Sequence, residues 1–169
     1  MLIVREGFHL LDSTPILVGA GQFTDRQTNP ELAHSPMGIA AEAAKAALAD
    51  TGIERALAAE IDTLAVVRIF QDSYTRPRVT ASNGRAENPP RAVARRIGAN
   101  PANAIYSNVG GNTPQKLVNE MAQRISGGDV SVALLTGSEA IRTAQLALRS
   151  NIELNWQEEG SGSQEDRGI

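Results

Sequence analysis

The sequence predicts an α/β domain, a mostly parallel sheet covered by helices on both faces, with its elements in the order βαβαβαβα. Three observations predict it. Short β-branched apolar runs alternate along the chain with longer segments rich in alanine and leucine. Several of the longer segments open on a capping residue followed by proline and close on glycine. Aromatic residues make up only 4 % of the 169 residues, so the core is aliphatic, which suits helices on a buried sheet better than an aromatic-rich sandwich or barrel.

The elements follow in order. Pro15 to Phe23 (PILVGAGQF) is a short apolar run closed by glycines and reads as a buried strand. After a polar loop, Ser35-Pro36 offers an N-cap with proline at the first helical position. The segment GIAAEAAKAALAD then reads as helix until Thr51-Gly52, where glycine can adopt the left-handed conformation. Ile61 to Phe70 reads as a second buried strand, and residues 71 to 87 form a long irregular stretch of the kind that is functional or disordered. Asn88-Pro89-Pro90 starts a second helix and Gly98 ends it. Ala104 to Val109 is a third strand, and Thr113-Pro114 opens a third helix with Leu117, Val118, Met121, Ala122 and Ile125 at helical spacing. Gly127-Gly128 stops it, Val130 to Thr136 is a fourth strand, and GSEAIRTAQLALRS a fourth helix.

These readings divide the chain into an N-terminal extension (1–14), an α/β domain (15–150) and a polar tail (151–169). The tail has little to bury except Ile152, Leu154 and Trp156, so the sheet is expected to be incomplete at its C-terminal end. The formal charge of −3 argues against a nucleic-acid binder, and the basic stretch Arg91 to Arg96 reads as the solvated side of a helix. No apolar run approaches the roughly 18 residues of a membrane span. The opening MLIVREGFHLLD is a poor signal peptide, and a cytoplasmic protein is the default expectation. Without cysteine the chain has no disulfide, no thiolate nucleophile and no sulfur ligand for a metal.

The strongest local feature is Ser107-Asn108-Val109-Gly110-Gly111-Asn112-Thr113-Pro114, between a strand and a helix. There the backbone N–H groups and the helix dipole favour an anion or a developing oxyanion. The competing reading is a tight turn whose glycines supply only conformational freedom. Gly19-Ala20-Gly21 is not a dinucleotide fingerprint, because Thr24 stands where the third glycine belongs and no helix follows directly. No P-loop is present. His9 and His34, the only histidines, lack metal-ligand spacing, and Asp12, Asp25 and Asp72 are scattered without an acid–base pairing. Ser138 and Glu139, after the fourth strand, are better placed; Glu139 reads either as a site residue or as a first-turn glutamate stabilised by the dipole.

Taken together, TPILVGAGQF, ALADTGI, IDTLAVVR and the run from NPPRAVARR through YSNVGGNTPQ to LLTGSEAIRT resemble the N-terminal part of the thiolase superfamily, in its sterol-carrier-protein-like, acetyl-CoA acetyltransferase branch. The resemblance extends from about Thr14 to Trp156. It implies a thiolase-like N-terminal half, acyl-CoA or a related thioester as ligand with no covalently bound cofactor, acyl transfer as the reaction class, a place in lipid metabolism, and a homodimer through a sheet edge, with Ala104 to Val109 as the edge on offer. It places substrate binding at Gly110, Gly111, Asn112 and Thr113, with Ser138 and Glu139 in the loop after the fourth strand.

The departures bear on activity. In catalytic thiolases a cysteine stands at the start of the helix after the third strand, where the helix N-terminus lowers its pKa for acylation. Counting back from Gly127-Gly128, that place falls on Gly111, followed by Asn112, and neither can form a thioester. The histidine and second cysteine of the family's second half have no counterpart here. The expectation is therefore a thiolase-like member with no catalytic residue and no metal, inactive alone. The alternative is a non-catalytic remnant or subunit with a role in packing or assembly.

Overall fold

The computed structural model describes residues 11–73 and 83–169. His9, most of the 1–14 extension and the middle of the predicted 71–87 stretch lie outside the described residues. Helix α1 (Pro36–Asp50) begins where the sequence indicates: the Ser35 hydroxyl accepts the Gly38 N–H at 3.1 Å, and Pro36 fills the first position without needing a partner. A short helix α2 (Glu54–Glu60) follows, assigned to no element by the sequence reading although ERALAAE is composed of good helix formers. Strand β1 (Thr63–Val66) is buried along its whole length.

Helix α3 (Pro89–Ile97) repeats the cap, with the Asn88 side chain accepting from Arg91 N–H at 3.2 Å and Gly98 closing it at φ +74°. Strand β2 (Asn103–Tyr106), helix α4 (Thr113–Ser126), strand β3 (Ala133–Thr136) and helix α5 (Ile141–Arg149) complete the predicted succession. A two-residue strand β4 (Glu165–Asp166) ends it. The sheet is parallel throughout, in the order β3-β1-β2-β4.

Register decides which helix covers which face. Leu64 stands beside Ala104 and Leu134, and Ala65 beside Ile105 and Leu135. Because side chains alternate along a strand, Leu64, Val66, Tyr106 and Leu134 share one face, packed against Met37, Ala40, Ala41, Ala44 and Leu48 of α1 and Ala92 and Val93 of α3. Ala65 and Ile105 face the other way, onto Leu117 and Met121 of α4. Val118, which the helical pattern places on the same face, is half exposed.

The βαβαβαβα order needs one correction at each end. Pro15 to Phe23 forms no strand among the described residues. It lies extended against α1, with the Ala20 N–H donating to Asp50 Oδ2 at 3.0 Å. A Cβ on Gly19 would stand 2.3 Å from the Ala47 carbonyl oxygen, and one on Gly21 2.3 Å from the Ala47 nitrogen. The two glycines thus let the backbone sit directly on the helix, outside the hydrogen-bonded ladder, and leave Ile16, Leu17 and Val18 66 %, 87 % and 52 % exposed. A short apolar run becomes a buried strand only beside a neighbour, and here it has a helix surface instead.

The other correction is the tail. Leu154 and Trp156 do bury, with Ala140, Ala144 and Ala147 of α5 and partly buried Ile39 and Ile152. Beyond them the chain turns back across α3, where Glu158 pairs with Arg96 at 2.7 Å, and then runs beside β2 as β4. Arg167 grips Glu120 of α4 with two hydrogen bonds of 2.6 and 2.7 Å. The edge expected to be open at Ala104 to Val109 is thus covered at Ile105 and Tyr106 by the protein's own last residues.

Replacing Gly21 by alanine should detach the 15–23 segment, since its Cβ would collide with helix backbone and not with a side chain that can swing away. The Ala20 amide should then lose its protection in hydrogen exchange, with a loss of about 1–3 kcal/mol in stability. Unchanged protection would show that the close approach to α1 is not what holds the segment.

Candidate functional site

The predicted site residues lie at the carboxyl ends of the parallel strands, where open α/β sheets gather ligands. The segments leaving β1 and β2 lead to helices on opposite faces, so a crevice opens between these two strand ends. The turn after β2 fills its rim. Ser107 is fully buried: its N–H donates to Val66 O at 3.0 Å, and its hydroxyl accepts the Arg68 N–H at 2.9 Å. Gly110 has φ +156° and packs under Asn112 and Thr113, where a Cβ would fall 2.9 Å from Asn112 Oδ1.

Helix α4 then starts at Thr113, whose N–H returns to Gly110 O at 3.0 Å. Asn112 is the cap residue, yet its side chain makes no capping bond. Among the described residues neither Gly111 nor Asn112 has an acceptor for its backbone N–H, and both are exposed. Two amides at a helix N-terminus can receive a carbonyl oxygen or an anion. The Thr113 hydroxyl is different: buried and donating to Asn108 O at 3.3 Å, it is not free to attack anything. A Cβ on Gly111 would meet no atom within 4 Å, so the position carries no steric demand for glycine. From Asn112 a shallow polar trough runs along α4 past Gln115, Lys116 and Asn119.

Ser138 and Glu139 lie across β1 from this turn. The Ser138 hydroxyl donates to Pro36 O at the start of α1, a structural tie. Glu139 accepts the Phe70 N–H at 2.6 Å, and its pKa is raised by burial and by the negative charge of Asp72. The two predicted groups do not bond to each other. Both converge on the segment after β1: Ser107 on Arg68, Glu139 on Phe70.

That segment holds the residues the sequence reading passed over. Arg68 is buried, its Nε donating to Ser107 O at 2.9 Å and its guanidinium lying 4.2 Å from the Tyr106 ring centre. The Tyr106 hydroxyl donates to Asp72 Oδ2 at 2.7 Å and accepts from Ile69 N–H, and burial followed by the Asp72 charge drives its pKa far up. Asp72 also meets Arg85 at 3.4 Å. The signal was present: Arg68 is the only cation in the apolar run from Ile61 to Phe70.

The remaining candidates stand apart. His34 Nδ1 lies 2.8 Å from Asp25 Oδ2, its ring edge-on to Phe23. Burial works to raise the Asp25 pKa, but the N–H groups of His34 and Gln27 and the His34 ring outweigh it and hold that carboxyl below its ordinary range. Asp12 is exposed. Among the described residues no group of three histidines or carboxylates could hold a metal ion, and no helix is long and apolar enough to cross a membrane.

The raised pKa of Glu139 fixes a sign. The folded protein keeps this proton at a pH where the unfolded chain has released it, so stability falls as pH rises from the ordinary glutamate range through the raised value. Glu139→Gln keeps an acceptor for Phe70 and removes the titration. Denaturant midpoints measured against pH should therefore fall less steeply for the variant across that window. Parallel curves for the two proteins would rule Glu139 out as the source.

Comparison with protein-family models gives no match, and comparison with curated proteins gives none either. Among solved structures the chain matches a protein described as a monomeric SCP2-thiolase-like protein type 1 from Mycobacterium smegmatis, with 38 % sequence identity and a TM-score of 0.57. The match covers 73 % of this chain and 23 % of that one, so the chain spans less than a quarter of the structure it matches. With a parallel sheet in the order β3-β1-β2-β4, helices on both faces and this level of identity, the fold is thiolase-like.

Proposed function

We propose that the chain binds acyl-CoA or a related thioester at the turn Gly110–Thr113, as a member of the sterol-carrier-protein-like thiolase branch, and that it does not perform thiolase chemistry by itself. The observation that carries this reading is the pair of exposed amides of Gly111 and Asn112 at the start of α4. Such donors suit the carbonyl oxygen of a thioester, and Lys116, one turn along the same trough, suits a phosphate. The likeness to an SCP2-thiolase-like structure supports the thiolase-like scaffold on which this reading rests. Acylation would need a nucleophile at position 111, and glycine supplies none. The proposed setting is cytoplasmic lipid or acyl metabolism.

The test is a titration of the protein with acetyl-CoA followed by amide shifts. Changes centred on Gly110 to Thr113 are expected, and no binding at millimolar ligand would sink the proposal. Gly111→Cys then examines the chemistry. Its thiolate would attack the acetyl carbonyl, form a new thioester and release the CoA thiolate, so the protein should gain the mass of one acetyl group while the parent does not. A variant that binds acetyl-CoA yet stays unmodified would show that position 111 is not the nucleophile's place.

A second reading, assembly with another polypeptide, has its own observation. The three consecutive exposed apolar residues Ile16 to Val18 and the outer side of β3, unpaired among the described residues, offer adhesive surface, whereas β2 is covered by β4. A homodimer on this reading forms through β3. Light scattering should then give a mass above that of a monomer, restored to monomer by Leu17→Lys; a monodisperse monomer at high concentration removes this reading.

A further inference from the structure

We propose that Arg68 is a binding site for a carboxylate or phosphate group, and that Asp166 of the tail occupies it when no such ligand is present. The guanidinium is held by groups that are not anions. Its Nε donates to Ser107 O at 2.9 Å, its face lies on the Tyr106 ring, and its own backbone N–H is tied to the Ser107 hydroxyl. The Nε bond commits one edge of the fork to the Ser107 carbonyl, and Nη2 is the group that meets Asp166 of β4. The side chain is only 6 % exposed, yet among the described residues the single carboxylate that meets it comes from Asp166, 98 positions further on.

Arginine cannot shed its charge in a protein. A buried guanidinium without a counterion is therefore costly, and the site retains its demand for an anion whatever the tail does. Asp72, the other acid nearby, is already engaged by the Tyr106 hydroxyl and by Arg85. A planar fork with one edge committed and the other presented matches the oxygen pair of a carboxylate or phosphate.

Asp166 is the weaker half of the pair. It is 47 % exposed and belongs to a strand of two residues. Its Oδ1 is shared with Gly168 N–H, a contact inside the tail itself. The firm anchors of the tail come earlier, at buried Trp156 and at Glu158 on Arg96. Past them the tail is held by the Gly160 N–H on Glu87, the Arg95 guanidinium on Glu159 O, the Gln164 amide on Glu87 O, the Arg91 and Asn88 contacts to Gly162 and Ser163, the two-residue pairing and the partly exposed Arg167–Glu120 pair, none of them a buried apolar contact. The segment from residue 164 to 168 can thus part from β2 while Trp156 stays buried. The position is also one where a ligand belongs, since Arg68 and Ser107 flank the crevice between strands whose following segments diverge to opposite faces. This inference needs an oxyanion and nothing more, so it stands or falls independently of thioester binding at Gly110–Thr113.

The experiment titrates sodium phosphate, and separately sodium acetate, at ionic strength held constant with sodium chloride. It follows the Arg68 Nε–H resonance and the exchange rate of the Arg167 amide, which bonds Tyr106 O in the closed arrangement. In the parent, phosphate or acetate should shift Arg68 and speed exchange at Arg167, and chloride alone should not. Asp166→Asn removes the competing carboxylate and should bind the same anion at least about ten-fold more tightly. Preference between phosphate and acetate names the source of the oxyanion. Equal affinity of parent and Asp166→Asn within about two-fold, or no anion-dependent shift at Arg68 in either, would overturn the proposal. Arg68→Gln should abolish binding; if that variant fails to fold, the comparison of parent with Asp166→Asn still decides.

Discussion

A buried guanidinium that cannot lose its proton organises the functional end of this molecule. Moving an ion of this kind out of water costs several kcal/mol even after relaxation, and Arg68 recovers it only because several elements arrive together. The end of β1 supplies the residue, the end of β2 supplies the Ser107 carbonyl and hydroxyl and the Tyr106 ring, and the tail supplies Asp166. The consequences spread outward. Tyr106, with the guanidinium over its ring, directs its hydroxyl to Asp72, and Asp72 adds to the burial that raises the pKa of Glu139. Gly110 follows Ser107 by three residues, so the start of its turn is fixed by the same contact. Loss of Arg68 would loosen the turn, the loop after β1 and the last strand at once.

What could be read from the sequence follows the range of the forces involved. Ser35-Pro36, Asn88-Pro89 and Gly98 act within one helical turn, and each sits where the local pattern places it. The strands at Ile61–Phe70, Ala104–Val109 and Val130–Thr136 are also present, shorter than their apolar runs because a strand lasts only as long as a neighbour does. Apart from α2, whose helix-forming residues ERALAAE were passed over, the failures are non-local. Pro15–Phe23 has strand composition, and what removes it from the sheet is the contact of Gly19 and Gly21 with α1 some thirty positions on. The tail has almost nothing to bury after Trp156, and pairs of charges, Arg96 with Glu158 and Arg167 with Glu120, fold it back instead. Arg68 could have been singled out as a lone cation in an apolar run, but its partner 98 positions away could not.

The candidate site divides in the same way. Gly110 to Thr113 are recognisable because a strand–glycine–helix succession is local, and the geometry keeps the two exposed amides that make such a turn useful. Ser138 serves structure, through Pro36, and Glu139 joins the site by way of Phe70 and Asp72 and not through the turn. The sequence offers the turn and the loop after β3 as two separate candidates. The sheet order, with β1 between β3 and β2, keeps them apart, and both reach the segment after β1.

A turn with its amides intact and no nucleophile has a definite chemical character. Backbone donors at a helix N-terminus stabilise an oxygen that carries charge more than one that does not, but that preference accelerates a reaction only when some group attacks the carbon and generates the charge. With glycine at 111 and the Thr113 hydroxyl buried and bonded to Asn108, neither residue supplies an attacking group, and on the proposed reading the donors hold a ground-state carbonyl or a resident anion. Binding of that kind is reversible and leaves the ligand unchanged. The open space at Gly111 separates two explanations of that state: a collapsed turn would have filled it, whereas here a side chain at position 111 would enter without displacing any atom. The backbone of the turn thus keeps room for a side chain at position 111, and what the sequence lacks there is a nucleophile and not space.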